Sequence, residues 1–129
     1  MIIGIGIDLV EIQRIEEASM SEPFLLKVFT DNEIAFFRMK KLLPQSIAGC
    51  FAAKEAVAKA LGTGIGDAGW RDIEIEHGEN SPPRIKLSGG ALALLQKCGG
   101  EAVHISITHN KTTAGAVAVI EGQGKNDGY

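Results

Sequence analysis

Residues 2–8 alternate with a period of two. Ile3, Ile5 and Ile7 share one parity, Gly4, Gly6 and Asp8 the other, and the spacing predicts a strand. From Val10 the rhythm turns helical, with Ile12 and Ile15 on one side and Arg14, Glu16 and Glu17 on the other, so Asp8 is expected at the strand's end. Thr30-Asp31-Asn32-Glu33 fits a capping box and predicts a helix over 31–43, ended by Pro44. A second helix, 46–61, carries SIAGCFAAKEAVAKAL and stops at Gly62, a natural left-handed cap. Its alanines favour helix and keep its sides thin.

Further on, 73–76 and 84–87 both alternate, and the turn-forming residues between them predict a hairpin. Ser88 is placed to cap a helix through Ala91, Leu92, Leu94 and Leu95, closed by Gly99-Gly100. Val103, Ile105 and Ile107 alternate with His104, Ser106 and Thr108, and 114–120 reads as one more strand. The order of elements predicts one α+β domain over 1–122 with a mainly antiparallel sheet, followed by a loose polar tail over 123–129.

Composition narrows the class. The 129 residues are 45% apolar, 22% charged and only 5% aromatic, which suits a single domain with an aliphatic core. A net charge of -3 argues against wholesale nucleic-acid binding. The uncharged runs fall short of the ~20 residues a membrane span requires, and no basic n-region with a cleavage site opens the chain. A cytoplasmic protein is expected, with Cys50 and Cys98 as reduced thiols and no zinc site.

Candidate chemistry gathers around the alanine-rich helix. Glu55 and Lys59 are four apart, which by itself describes a surface ion pair. Glu55, however, lies about 40° round the helix from Phe51, so it borders the apolar stripe of Phe51, Ala58 and Leu61. Beyond the helix, Gly62-Thr63-Gly64-Ile65-Gly66 offers either a simple turn or a cradle whose amides approach a phosphate. It is not a P-loop, because no Gly-Lys-Ser/Thr follows. Asp8 has two readings: N-cap of the next helix, or, beside Glu55, a ligand for magnesium, whose usual shell is one or two carboxylates, waters and phosphate oxygens. On the second reading Gly4 and Gly6 clear one face of the strand for another backbone. His109 is either a phosphate donor or an exposed turn residue. His77, His104 and Trp70 read as structural.

The motifs GIGIDLVEIQRI, FAAKEAVAKALGTGIG, WRDIEI, PPRIKLSGGA and HISITHNKTTAGAVAVIEG, in this order over about residues 3–122, resemble the holo-acyl-carrier-protein synthases. These are short, single-domain phosphopantetheinyl transferases of bacterial fatty acid synthesis. The resemblance implies a magnesium-dependent transfer of 4′-phosphopantetheine from coenzyme A to a serine of apo-acyl carrier protein, with release of adenosine 3′,5′-bisphosphate. It implies Asp8 and Glu55 as metal ligands and Lys59 as an active-site lysine. Lys54, Lys59, Gly62, Thr63, Gly64, Ser106, Thr108 and His109 then match positions associated with coenzyme A. It also implies a homotrimer with active sites between subunits. Two positions depart from the pattern: Cys50 stands where arginine is common, leaving a phosphate contact either missing or supplied by Lys40 or Lys41, and Thr108 replaces a serine.

Because acyl carrier proteins are acidic, Arg14, Arg38, Lys40 and Lys41 are expected to form the docking surface. Two rival readings share parts of this site. One is a different magnesium-dependent enzyme acting on a nucleotide diphosphate, and the other is a non-catalytic α+β binding module.

Overall fold

The computed structural model describes residues 1–62, 66, 69–78 and 80–123. Its elements run β1 (Ile2–Glu11), α1 (Ile12–Ala18), α2 (Glu22–Val28), α3 (Asp31–Met39), α4 (Pro44–Ala60), a 3-10 turn (Trp70–Asp72), β2 (Ile73–Glu76), β3 (Arg84–Leu87), α5 (Gly89–Lys97), β4 (Gly100–His109) and β5 (Thr113–Gly122). An antiparallel sheet in the order β1-β5-β4 and a separate β2-β3 hairpin make the expected α+β fold. No helix among the described residues is long and apolar enough to cross a membrane.

Helix α4 is the centre of the core: Ala52, Ala53, Ala56, Val57 and Ala58 are all fully buried. It lies directly on β1 because of Gly4 and Gly6. A Cβ at Gly4 would strike the carbonyl oxygen of Ala60, and one at Gly6 that of Ala56. The glycine parity of β1 therefore faces the helix. The isoleucine parity faces away: Ile5, Ile7 and Leu9 remain 63%, 65% and 72% exposed. The usual rule, apolar side in, is reversed here because only a strand face without side chains lets a helix backbone come this close.

Three boundaries differ from the sequence reading. β1 continues to Glu11, paired through to Thr113 of β5, so Asp8 sits within the strand opposite Ala116. Glu11, not Asp8, occupies the N-cap position of α1, which removes the capping role for Asp8. Helix α3 ends at Met39, because Lys41 and Leu42 turn the chain with φ of 58° and 56°, and Pro44 then starts α4 rather than stopping α3.

Helix α2 went unread in the sequence. Its signals are Ser21, whose hydroxyl accepts from the Phe24 amide, and Pro23 in the first turn. The capping box is present as expected, with the Glu33 amide 3.2 Å from Thr30 Oγ1 and the Thr30 amide 2.8 Å from Glu33 Oε1. Ser88 holds the cap position of α5, but its side chain makes no capping bond; the Asp72 carboxylate accepts from Gly90 N instead. The tail beyond Gln123 lies outside the described residues.

Candidate active site

Asp8 and Glu55 both lie at the junction of β1 and α4, near enough for the charge of Asp8 to act on Glu55. Asp8 projects from the glycine side of the strand, the side the helix covers, and its side chain is only 15% exposed. Glu55 is half-buried, and its pKa is raised first by that burial and then by the negative charge of Asp8, while Lys59 pulls it back down. A cation placed among the two carboxylates would offset the repulsion that Asp8 exerts on Glu55. Lys59 supplies part of that cation. Its ammonium lies 3.0 Å from Asp8 Oδ1 and 3.0 Å from the Ile7 carbonyl, so it bridges helix to strand. The i,i+4 spacing points Lys59 at Glu55, but the closer acceptors belong to β1.

The described residues contain no cluster of three or more His, Cys, Asp or Glu side chains, so no all-protein cage exists there. A pair of partly exposed carboxylates suits magnesium, which keeps several waters and completes its shell with substrate phosphate oxygens. The residues present fit that ion.

Lys54 was expected to contact coenzyme A, and the structure places it elsewhere. It is fully buried, with its ammonium 2.7 Å from Glu33 Oε1 and donating to the carbonyls of Trp70 and Ile73. All three of its donors are used inside the core. Glu33 is equally saturated: besides Lys54 it accepts from the amides of Thr30 and Ile75 and from the Cys50 thiol at 3.4 Å. No buried side-chain polar atom among the described residues lacks a partner. Cys50, too, faces this core rather than any phosphate. Burial, with the charge of Glu33 second, pushes its pKa well up, so it stays a protonated, unreactive thiol.

Glu33 is the residue that sequence reasoning missed. The signal was available on the helical wheel: Cys50, Lys54, Val57 and Leu61 form one stripe, so Lys54 sits among core residues and requires an acid to meet it.

The remaining expected residues divide by face. Gly62 caps α4 in the left-handed region at φ 89°, its amide 3.0 Å from the Lys59 carbonyl. Thr63 and Gly64 lie outside the described residues. Ser106 and Thr108 are exposed and stand opposite Val117 and Gly115, on the sheet face that also carries Ile7 and Leu9. Within one chain they are thus separated from Asp8 by the thickness of the sheet. His109 is exposed at the end of β4 and lines a groove of about 1020 Å³ with Glu11, Ile12, Gln45 and Lys111. Arg14, Arg38, Lys40 and Lys41 are all exposed, the first on α1 and the others at the end of α3 and in the turn after it, where Lys40 also lies over the Phe36 ring.

Comparison with known proteins identifies the family. Residues 4–118 match the profile of the 4′-phosphopantetheinyl transferase superfamily. A holo-[acyl-carrier-protein] synthase of Clostridium novyi is 50% identical over 122 residues, covering 94% of this chain and 88% of the relative. Among solved structures, a holo-(acyl-carrier-protein) synthase of Bacillus anthracis in complex with CoA (3′,5′-ADP) superposes with a TM-score of 0.78 at 37% identity, covering 95% and 99% of the two chains. The holo-[acyl-carrier-protein] synthase of Neisseria meningitidis gives 0.84 at 33% identity over 94% and 99%. With its fold and nearly its whole length matched, the chain belongs to the holo-acyl-carrier-protein synthases of the 4′-phosphopantetheinyl transferase superfamily.

Proposed function

We propose that this chain transfers 4′-phosphopantetheine from coenzyme A to a serine hydroxyl of an acidic acyl carrier protein, leaving adenosine 3′,5′-bisphosphate, as a step that serves fatty acid synthesis in the cytoplasm. The observation that carries the reading is the meeting of Asp8, Glu55 and Lys59 between β1 and α4 in a chain with the similarities above.

The chemistry asks for charge neutralisation and positioning. Attack of a serine oxygen on the diphosphate phosphorus spreads negative charge over phosphoryl oxygens and the leaving bisphosphate. Asp8 and Glu55 would hold Mg2+, which when bound supplies positive charge to the diphosphate oxygens. Lys59, already aimed into the same space and half exposed, neutralises a further phosphoryl oxygen once substrate competes with Asp8 for it.

The outward sheet face bears on assembly. Ile5, Ile7 and Leu9 form a contiguous exposed apolar row beside Val117 and Val119, the kind of surface that marks an interaction site. Ser106 and Thr108 share that face, so any role in holding coenzyme A places them in a site completed by a neighbouring copy. A homotrimer with sites between subunits is the reading that joins these two facts. Arg14, Arg38, Lys40 and Lys41 give an exposed basic surface for the carrier.

The test is to incubate the protein with coenzyme A, Mg2+ and apo-acyl carrier protein and to follow the carrier by mass spectrometry. A phosphopantetheine-sized gain that disappears with Asp8→Ala or Glu55→Ala supports the reading. No gain with any divalent metal overturns it.

A further inference from the structure

Helix α4 presents a mechanical problem. Its sides near Glu55 are alanine, and it rests on glycines of β1. Such contacts fix how close the helix lies more firmly than how far it is rolled about its axis, which is left to the larger side chains it buries, Ile47, Val57 and Leu61, and to directional contacts. A side-chain tip sits about 5–6 Å from a helix axis, so a roll of about 10° moves a carboxylate by about 1 Å, which exceeds the roughly 0.5 Å within which a working site must be held.

The residue next to Glu55 is Lys54. Its ammonium is bound in three directions at once, by Glu33 of α3 and by the Trp70 and Ile73 carbonyls on either side of the 3-10 turn. Glu33 is in turn held by the amides of Thr30 and Ile75 and by the Cys50 thiol. A buried ion pair is not needed for stability, since apolar groups of like volume serve as well or better. It is directional, however: rolling α4 would pull a charge away from its partners inside the core. The Trp70 ring, whose backbone Lys54 holds, packs 5.0 Å from Phe51, one turn of α4 from Glu55.

We propose that the buried Glu33–Lys54 pair is the positioning device that sets the roll of α4 and so aims Glu55 at Asp8 for cation binding. Lys54 is a positioning residue and touches neither substrate nor metal. The inference rests on the cation reading of the Asp8–Glu55 pair given above.

The experiment compares wild type, Lys54→Met and the charge-free double variant Glu33→Gln/Lys54→Met. Free Mn2+ is measured by electron paramagnetic resonance during titration in the presence of coenzyme A, at a temperature where circular dichroism shows each protein folded. Lys54→Met is expected to bind Mn2+ about tenfold more weakly, the lower end of what loss of a supporting contact costs a metal site, with kcat recovering at saturating Mg2+. The double variant, which leaves no unpaired charge in the core, is expected to regain melting temperature but not Mn2+ affinity.

Wild-type affinity in a folded Lys54→Met overturns the proposal, as does Mn2+ affinity that recovers together with melting temperature in the double variant. If Lys54→Met fails to fold, the folded double variant decides: weakened binding supports the proposal and wild-type binding overturns it. A wild-type protein that binds no Mn2+ at all, or binds it equally after Glu55→Ala, breaks the cation reading itself, which separates the two failures.

Discussion

Helix α4 carries two lysines five residues apart, and the fold puts them to opposite uses. At about 100° per residue they point roughly 140° apart, which sends Lys54 into the core and Lys59 to the edge of the sheet. Lys54 has no exposure and meets a carboxylate that is itself fully enclosed. Lys59 is half exposed and meets Asp8, beside a Glu55 whose protonation is disturbed by partial burial and by like charge. The first cluster has every polar atom satisfied and nothing left to offer a ligand. The second has, among the described residues, two carboxylates and the one cation of Lys59. Chemistry resides where charge is left incompletely balanced within reach of solvent, and the balanced cluster beneath it acts as foundation.

The comparison breaks most sharply if both clusters respond alike to mutation. Lys54→Met should lower stability by about 3–5 kcal/mol, because it strands Glu33 in the core. For a chain of this size that is a melting temperature lower by roughly 10–20 °C in differential scanning calorimetry. Asp8→Ala should leave melting nearly unchanged and reduce kcat by about 10²–10³, the cost of removing a group that organises charge in a transition state. That loss should persist at saturating Mg2+. If Asp8→Ala melts as early as Lys54→Met, the second cluster is structural as well.

These two clusters were not equally legible in the sequence. The capping box announced itself because Thr30 and Glu33 interact over three residues, but the second use of Glu33, gripping Lys54 twenty-one positions later, has no local trace. Gly4 and Gly6 did reveal where a backbone would come close. The end of β1 was placed three residues early, because pairing with β5 continues the strand through Val10 and Glu11 despite their helical spacing. Helix α2 is seven residues long, too short for periodicity to stand out. The left-handed turn at Lys41 and Leu42 uses neither glycine nor asparagine, the residues by which such a turn is usually recognised.

A smaller effect sharpens the contrast between the lysines. Lys59→Met should change stability by no more than about 1 kcal/mol, since its pair with Asp8 is half exposed to solvent and screened. Activity should nevertheless fall by about 10² or more, the lower range for loss of one charge-stabilising contact. Carrier modification measured against coenzyme A concentration would show the loss chiefly in kcat.

The least effect, and the most diagnostic, concerns Glu55 itself. Its folded pKa lies above the ordinary carboxylate value, chiefly through burial and then through Asp8. A group with a raised folded pKa contributes stability that is present below its unfolded pKa and lost as pH rises through the folded one. At neutral pH the ionised Glu55 therefore weighs against the metal-free fold, and Glu55→Gln should stabilise that form slightly, by less than about 1 kcal/mol after allowance for solvent screening. The advantage should shrink as pH falls into the range where Glu55 is protonated, because both proteins then carry a neutral side chain there. Thermal melting of the two proteins with chelator, across mildly acidic to neutral pH, measures this directly. Adding Mg2+ with coenzyme A should reverse the order at neutral pH, since only the carboxylate gains from the cation. A Glu55→Gln protein that is less stable than wild type without metal would mean that Glu55 is satisfied as a charge by Lys59 alone, and the imbalance that distinguishes the upper cluster from the buried one would be gone.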